Sequence, residues 1–283
     1  MNSILAIDIG GTKLATGLVS DKGVLLERAA APTPRTTNSD GLWDALMTLI
    51  DEIDYQGRAV AVGVGCGGPM ARGGTTVSPL NIPAWRAFPL RERIAAHTGL
   101  PTIVDNDAKA LARAEGWVGA AQGVGNYIAM VVSTGVGGGI VLDGRMLDGS
   151  TGNAGHIGHI IVEPEGRACA CGAYGCLEAE ASGTAIAAIT GAHPSAASAA
   201  VIERTGMLVG RAVAITANLL DLQLAVVAGS VALGYGDPFF AAAQREINRL
   251  CTIEFSRGTR IERAGLGDEG PLIGAAALSR SGH

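Results

Sequence analysis

A strand, a glycine-rich turn and a second strand follow one another in both halves of this chain. In the first half, the apolar run Ile4–Ile9 leads into a turn at Gly10–Thr12. In the second half, the apolar run Tyr127–Val132 leads into a longer glycine-rich stretch, Ser133–Gly139. Short apolar runs that are bounded by glycine predict buried strands. Because the same unit occurs twice, the sequence indicates two related lobes.

The remaining segments alternate between strands and helices. Apolar residues recur at helical spacing between Asp40 and Ile53, and Asp40 is a candidate N-cap. Further strands are predicted at Leu14–Val19, Val24–Ala30, Val60–Val64, Thr102–Val104, Ile140–Leu142 and Leu224–Val227. Further helices are predicted at Leu90–His97, Ala181–Ile189, Glu203–Leu220, Pro238–Leu250 and Pro271–Leu278. The mixture predicts an α/β fold.

Composition excludes several classes of protein. Hydrophobic residues make up 48% of the chain and charged residues 17%, which argues against disorder. The net charge of -5 gives no basic surface for nucleic acid. No stretch reaches the ~20 apolar residues of a membrane helix, and the start lacks a secretory signal. Three of the five cysteines lie within eight positions, which suits a reducing compartment. We therefore expect a cytoplasmic protein without nucleic-acid or membrane partners.

The first glycine turn is a candidate phosphate site. Glycine allows the backbone to approach phosphate oxygens, and a threonine hydroxyl and a lysine follow at once. Asp8, at the end of the preceding strand, is placed to hold a hydrated Mg²⁺. The predicted ATP contacts here are Asp8, Gly10, Gly11, Thr12 and Lys13. An ordinary hairpin turn explains the same pattern about equally well.

The second glycine stretch strengthens this interpretation, because it has four glycines in five positions. The predicted phosphate contacts are Thr134, Gly135, Gly137 and Gly138. A third strand, Val226–Val227, ends in small residues at Gly229 and Ser230, where a nucleotide base and ribose would fit, although a plain turn is the alternative. The Walker motif G-x-x-x-x-G-K-[ST] is absent. The glycines at 63, 65 and 68 match a dinucleotide pattern, but Pro69 follows and no helix is predicted there.

One histidine and three cysteines have the spacing of a metal site. His159, Cys169, Cys171 and Cys176 offer one imidazole and three thiolates, which tetrahedral zinc accepts. Glycines at 172 and 175 supply the bends between the thiols. Free buried thiols or a redox pair are the alternatives. A closed four-ligand site predicts a structural zinc ion rather than a catalytic one.

A carboxylate after the strand that ends at Val104 is the candidate catalytic base. A kinase that phosphorylates a hydroxyl needs a carboxylate within hydrogen-bond reach of it, and Asp107 fits that role. Asn106 would contact a neighbouring hydroxyl, while Asp105 or Asn106 capping a helix is the alternative. Other candidate substrate contacts are Asn81 in a proline-rich loop, His156, His159, and Glu178 just after the last cysteine.

These residues together resemble the ROK family of repressors, open reading frames and kinases, over almost the whole chain. The resemblance implies a two-lobed, actin-like ATPase (ribonuclease-H-like) sugar kinase fold with a structural zinc loop. It implies a small lobe, 1–118, joined by a C-terminal helix at 271–283, and a large lobe, 119–270, with the dimer surface of a homodimer. It also implies Asp107 as base, with sugar contacts from Asn106, His159 and Glu178.

One position departs from the glucose-type pattern of the family. Most such members have Gly-Glu-x-Gly-His where this chain has Gly155-His156-Ile157-Gly158-His159. This form is similar to bacterial N-acetylmannosamine kinases. The resemblance therefore implies transfer of phosphate from MgATP to the 6-hydroxyl of N-acetylmannosamine. A glucokinase or another hexose kinase is the alternative. A sugar-sensing regulator is less favoured, because no helix-turn-helix precedes Ile4.

Overall fold

The computed structural model describes residues 2–280, and its contacts divide the chain into two compact units. The first unit comprises Met1–Gly119, Asp148–Ala154 and Leu266–His283. The second comprises Ala120–Leu147 and Gly155–Gly265. The segment Asp148–Ala154 therefore packs with the first unit, whereas the sequence-based expectation placed these residues in the large lobe, 119–270.

Strands and helices alternate along the described chain, so the fold is α/β. The strands are β1 (Ser3–Ile9), β2 (Lys13–Ser20), β3 (Leu25–Pro32), β4 (Ala59–Cys66), β5 (Thr102–Asn106), β6 (Tyr127–Val132), β7 (Val136–Leu142), β8 (Arg145–Met146), β9 (Leu224–Ala228) and β10 (Arg260–Arg263). The helices are α1 (Ser39–Asp51), α2 (Leu90–Thr98), α3 (Asp107–Val118), α4 (Leu177–Ala181), α5 (Gly183–Thr190), α6 (Ala199–Leu220), α7 (Ser230–Leu250) and α8 (Gly270–Ser279).

The sheet of the first unit has the strand order β3-β2-β1-β4-β5. Strands β1, β2 and β3 form an antiparallel meander, whereas β1, β4 and β5 run parallel. The register pairs Asp8 with Gly65, and Cys66 with Asn106. The carboxyl ends of three neighbouring parallel strands therefore meet at one edge, which is where open α/β sheets bind ligands.

Helix α8 packs against the first sheet through a glycine. A Cβ atom on Gly63 of β4 would overlap the backbone carbonyl of Ala275. Gly274 of α8 also packs closely on α3, since a Cβ built there would lie 2.9 Å from the carbonyl carbon of Ala110. Gly63 therefore serves helix–sheet packing, and Pro69 opens no helix, so the rejection of a dinucleotide motif at this place is consistent with the structure.

A buried lysine fastens the segment Asp148–Ala154 to the first unit. The side chain of Lys109 in α3 is only 2% exposed. Its Nζ donates to Oδ1 of Asp148 and to the carbonyl of Gly152, both at 2.7 Å. A buried ammonium requires such partners, because its desolvation is otherwise costly. This segment immediately precedes the Gly155–His159 motif in the sequence.

The sheet of the second unit has the order β10-β9-β6-β7-β8, with β6, β9 and β10 parallel and β7 antiparallel to β6. Helices α6 and α7 pack tightly on each other. A Cβ on Gly206 or Gly210 of α6 would overlap backbone carbonyls of α7, those of Phe239 and Ala243. Small residues at this crossing permit the close approach of the two helices.

Several segments differ from the sequence-based expectations. The N-cap of α1 is Asn38 and not Asp40, because Oδ1 of Asn38 accepts from the amide of Asp40 at 3.0 Å. Helix α6 begins at Ala199, earlier than predicted. Strand β7 begins at Val136, so the turn after β6 covers Ser133–Gly135 and is shorter than predicted, because the last three glycines pair with β6. The helix predicted at Ala181–Ile189 is two helices, since Ser182 ends α4 and caps α5. Helix α7 begins well before Pro238 and has a kink at Gly236.

Among the described residues, no helix combines the length and the apolar character required to cross a bilayer.

We expect Gly63→Ala to destabilise the protein by about 1–3 kcal/mol, because the added methyl group would push α8 away from β4. Urea unfolding of the purified variant measures this. Gly41→Ala is the matched control, since a Cβ there meets nothing closer than 3.8 Å. That change should be neutral or should stabilise α1 by about 0.5 kcal/mol. Equal midpoints for Gly63→Ala and the unaltered protein would contradict this account of the packing.

Candidate active site

Two carboxylates lie together at the carboxyl edge of the first sheet. A Cβ built on Gly65 would lie 3.7 Å from Oδ1 of Asp8 and 3.7 Å from Cα of Asp107. Gly65 of β4 therefore lies between Asp8 of β1 and Asp107, the residue that follows β5. Burial, and then the charge of Asp107, raise the pKa of Asp8 from its ordinary value of 3.8 to about 7, against the lowering effect of Lys13 and Arg28. Such a perturbed carboxyl is typical of functional sites.

The start of α3 orients the two predicted catalytic and sugar-contacting residues. Asn106 is the N-cap, and its Oδ1 accepts a hydrogen bond from the amide of Ala108 at 3.0 Å. The alternative that Asn106 caps a helix is therefore correct, and it leaves the Nδ2 amide as the donor toward a ligand. Asp107 is exposed at the first position of the helix. Oδ1 of Asp107 also accepts from the amide of Ala108, at 2.8 Å, so the predicted ligand contacts would use the other polar atoms of this pair.

Asn81 lies against the first glycine turn. A Cβ on Gly11 would lie 2.8 Å from the side-chain amide of Asn81, and one on Gly67 would lie 3.6 Å from its Oδ1. The structure therefore brings Asn81 to the same strand edge as Asp8, as the sequence-based site requires. A larger residue at position 11 would displace it.

Thr33 holds one side of the first glycine turn by hydrogen bonds, and the other side of the turn is exposed to solvent. Thr33 donates through Oγ1 to the carbonyl of Gly10 at 2.6 Å, and its amide donates to the carbonyl of Thr12 at 3.1 Å. Thr12 and Lys13 are exposed. The turn is thus fixed by its own unit while a hydroxyl and an ammonium group face solvent.

The second glycine turn lies beside the end of β9. Oγ of Ser133 is 2.9 Å from Oγ of Ser230. Gly229 has φ 101°, and a Cβ there would overlap the carbonyl of Val132, so only glycine permits this approach. Gly137 and Gly138 are strand residues in β7, and a Cβ built on Gly138 would lie 2.9 Å from the side chain of Ile157. Their predicted phosphate contacts stay predictions, now from a strand rather than from a loop.

A cavity of about 450 Å³ opens next to this turn, within the second unit. Thr134 and Ser230, both predicted nucleotide contacts, line it. Tyr235 also lines it and donates from its hydroxyl to the carbonyl of Pro194 at 3.0 Å. Its volume, small-residue floor and mixed walls suit a nucleotide base.

The four predicted metal ligands converge in the second unit. Their ligand atoms all lie within 4.8 Å of one another. Sγ of Cys169 is 3.7 Å from Nδ1 of His159, and Sγ of Cys171 is 3.7 Å from Sγ of Cys176. Tetrahedral zinc with bonds of about 2.0–2.3 Å separates its ligands by about 3.5–3.8 Å. The donor set and its spacing therefore fit such an ion.

Backbone geometry already shapes the loop that carries these ligands. Gly172 has φ 94° and Gly175 has φ 71°, both conformations that favour glycine. The amide of Gly175 donates to the carbonyl of Arg167 at 2.8 Å, and its own carbonyl accepts from Val162 at 2.9 Å. The predicted role of both glycines as bends is consistent with these conformations.

The two remaining predicted sugar contacts flank the metal cluster. The ring of His156 lies 6.1 Å from the ring of His159, centroid to centroid, and both side chains are exposed. Glu178, in the first turn of α4, accepts a hydrogen bond through Oε2 from the amide of Val136 at 2.9 Å. The structure thus places all three in the second unit, with one oxygen of Glu178 already bound by the backbone.

The ROK family sequence profile matches residues 4–281, which is nearly the whole chain. The chain belongs to the ROK family. An N-acetylmannosamine kinase of Citrobacter koseri is 39% identical over 250 residues, which cover 83% of this chain and 85% of that protein. One of Haemophilus influenzae is 35% identical over 288 residues, covering 96% and 93%.

A solved ROK structure supports the fold. The ROK family glucokinase of Streptomyces griseus, crystallised with glucose and AMPPNP, has a TM-score of 0.85 to this chain at 31% identity. The match covers 99% of this chain and all of the other. The family membership and the α/β fold expected from the sequence are therefore confirmed.

Several candidate residues in this ROK protein escaped sequence reasoning. Thr184, His193 and Tyr235 line the cavity, yet each stands outside a glycine-rich motif. They come together only because α5, the short 3₁₀ helix after it and α7 pack side by side. The hydrogen bond from Val136 to Glu178 is likewise tertiary. Only the proximity of Glu178 to Cys176 signalled that its position is fixed.

We expect the ligand-free Asp8→Asn variant to gain stability over the unaltered protein as pH rises. The folded pKa of Asp8, about 7, exceeds the ordinary 3.8, so the folded state binds the extra proton between these values. Stability of the unaltered protein is therefore lost as pH rises from about 4 to 7. The gain should reach on the order of 4 kcal/mol above pH 7.

Urea unfolding at pH 5 and pH 8 without added magnesium measures that difference. Asp44→Asn is the control, because Asp44 is an exposed residue of α1. Its effect should be small and equal at the two pH values. If Asp8→Asn raised the free energy of unfolding equally at pH 5 and pH 8, the claim that burial raises the pKa of Asp8 would be refuted.

Proposed function

We propose that this ROK protein transfers the γ-phosphoryl group of ATP to the 6-hydroxyl of N-acetylmannosamine. The observation that carries the kinase assignment is the juxtaposition of Asp107 and Asp8 at the carboxyl edge of parallel strands. The curated relatives named N-acetylmannosamine kinase support the choice of sugar, at 39% and 35% identity.

Asp107 acts as the general base in this proposal. Its carboxylate accepts the proton of the 6-hydroxyl as the oxygen attacks phosphorus, which is a positioning and proton-transfer task. Asp8 holds a hydrated Mg²⁺ in its ionised form. Magnesium, when bound, offsets negative charge on the phosphates. Gly10, Gly11, Thr12 and Lys13 offer amides, a hydroxyl and an ammonium group to the same phosphates.

The second unit binds the nucleotide in this proposal. The amides of Thr134 and Gly135 face the phosphates, while the base and ribose enter the cavity beside Gly229 and Ser230. Gly137 and Gly138 would contribute only through the backbone at the start of β7. The small side chains at these positions support the assignment, because they let a ligand approach the main chain.

Five polar side chains recognise the sugar in this proposal. Asn106 donates through Nδ2, and Asn81 lies near it on the same edge. His159 uses Nδ1 toward Cys169, which leaves Nε2 as the ring nitrogen for a sugar hydroxyl. Glu178 offers its second carboxylate oxygen, since Oε2 is engaged. His156 donates to the acetamido carbonyl, which a carboxylate cannot do.

The four clustered ligands hold zinc in this proposal. His159, Cys169, Cys171 and Cys176 fill all four positions of a tetrahedral ion, so the metal stabilises the loop and takes no part in the reaction. A homodimer, implied by the family, stays a prediction.

We expect Asp107→Asn to lower kcat by about 10²-fold or more, because asparagine cannot accept the hydroxyl proton. ADP binding and zinc content should be retained. Coupled detection of ADP release measures the rate. Asp105→Asn is the control. It removes the carboxylate of the residue directly before Asn106 and should keep most of the turnover. A near-normal rate for Asp107→Asn would remove this residue from the role of base.

We expect His156→Glu to reduce the preference for N-acetylmannosamine over glucose by roughly tenfold, since one donor hydrogen bond to the acetamido group is lost. The ratio of the two kcat/KM values measures it. His156→Gln keeps an amide donor without charge and should retain most of the preference. An unchanged ratio in His156→Glu would show that another residue selects the acyl group.

A further inference from the structure

The segment that follows the last metal ligand is bonded to the second glycine turn at several points. Cys176 is followed by α4 and α5, which lie within residues 177–190. Glu178 accepts from the amide of Val136, where the turn meets β7. Further along, the amide of Gly183 donates to the carbonyl of Ser133 at 2.7 Å.

Thr184 adds two bonds to the same turn. Its amide donates to the carbonyl of Thr134 at 3.2 Å, and its hydroxyl donates there at 2.9 Å. A Cβ on Gly135 would lie 2.8 Å from Oε2 of Glu178, so the turn and this carboxylate are in direct contact. Every residue of the turn thus contacts the segment 178–184.

The other end of this segment is fixed at the metal cluster. Cys176 is fully buried, and the next amide, that of Leu177, donates to the carbonyl of Ile160 at 2.9 Å. Ile160 directly follows His159, the imidazole ligand. The two ends of the ligand loop are therefore joined where α4 begins, one residue before Glu178.

We infer that the metal cluster positions the nucleotide-binding turn through Glu178, so that loss of the metal weakens nucleotide binding even without sugar. Glu178 is then a positioning residue for Ser133–Val136 as well as a sugar contact. This inference rests on the proposed binding of nucleotide phosphates by that turn. Neither the four metal ligands nor the sugar contacts of the proposed function would by themselves make nucleotide binding depend on the metal.

The physical reason is the geometry of the turn. Backbone amides bind phosphate well only when they are already oriented, since ordering a flexible loop on binding costs free energy. The bond from Val136 to a carboxylate is charge-assisted and stronger than a neutral one. A disordered ligand loop would release α4 and with it the acceptor on Glu178.

Calorimetric titration of MgADP in the absence of sugar tests the inference. The samples are the unaltered protein, protein stripped of metal by a chelator and then restored with zinc, Glu178→Ala and Glu178→Gln. Glu165→Ala is the matched control, because Glu165 is an exposed carboxylate of the same loop. Amide hydrogen exchange of a peptide covering residues 133–136 gives a second readout that is independent of catalysis.

We expect Glu178→Ala and metal removal each to raise the dissociation constant of MgADP roughly tenfold. Stripping the metal from Glu178→Ala should add little, because both changes release the same turn. Glu178→Gln keeps an acceptor oxygen but loses the charge assistance, so its loss of affinity should be smaller than that of Glu178→Ala, whereas Glu165→Ala should bind MgADP normally. Exchange at 133–136 should accelerate in parallel and should recover when zinc is restored.

Unchanged MgADP affinity in the stripped protein, or in Glu178→Ala with normal exchange at 133–136, would overturn the inference while leaving the kinase proposal intact. Fully additive losses would also overturn it, because they would show separate routes. An unaltered protein that fails to bind MgADP at all would contradict the proposed function itself, and with it this inference.

Discussion

The close approach of two carboxylates at one sheet edge is the constraint on which the rest of the first unit depends. Asp8 is the second-last residue of β1, Asp107 opens α3, and a single glycine of β4 lies between them. Their repulsion and the burial of Asp8 oppose folding, which is visible in a pKa of about 7 for that carboxyl. Hydrophobic burial around Leu5, Ile7 and Val64 supports the arrangement. A site that costs stability without its ligands is typical of function, and it is consistent with the proposed binding of a cation and a sugar hydroxyl.

The glycine turn of the second unit is shaped by the segments that pack against it rather than by its own side chains. The turn Ser133–Gly135 has few side chains of its own, so its shape comes from neighbours: Gly229 on one side and the segment 178–184 on the other. That segment begins two residues after Cys176, a predicted metal ligand. The Cys/His cluster therefore belongs to the same bonded framework as the cavity beside the turn, and a metal held by all four ligands would have no position for a reactant.

Local sequence patterns predicted much of the fold and part of the candidate site. Apolar runs bounded by glycine predicted the positions of β1 and β6, and cysteine spacing predicted four ligands that the structure brings within 4.8 Å. The same reasoning overextended the second glycine turn, because glycine in a strand cannot be told from glycine in a loop by composition. The break at Ser182 and the cavity residue His193 depend on tertiary packing, which leaves no local pattern.

The most direct test of the proposed function is the rate of ADP release from MgATP with N-acetylmannosamine, N-acetylglucosamine, glucose, mannose and fructose in turn. We predict the highest kcat/KM for N-acetylmannosamine, by roughly tenfold or more over glucose, because the proposed donor at His156 would meet the acetamido group. A higher kcat/KM for glucose would contradict the choice of substrate. Absence of ADP release with every sugar would contradict the assignment of a sugar kinase.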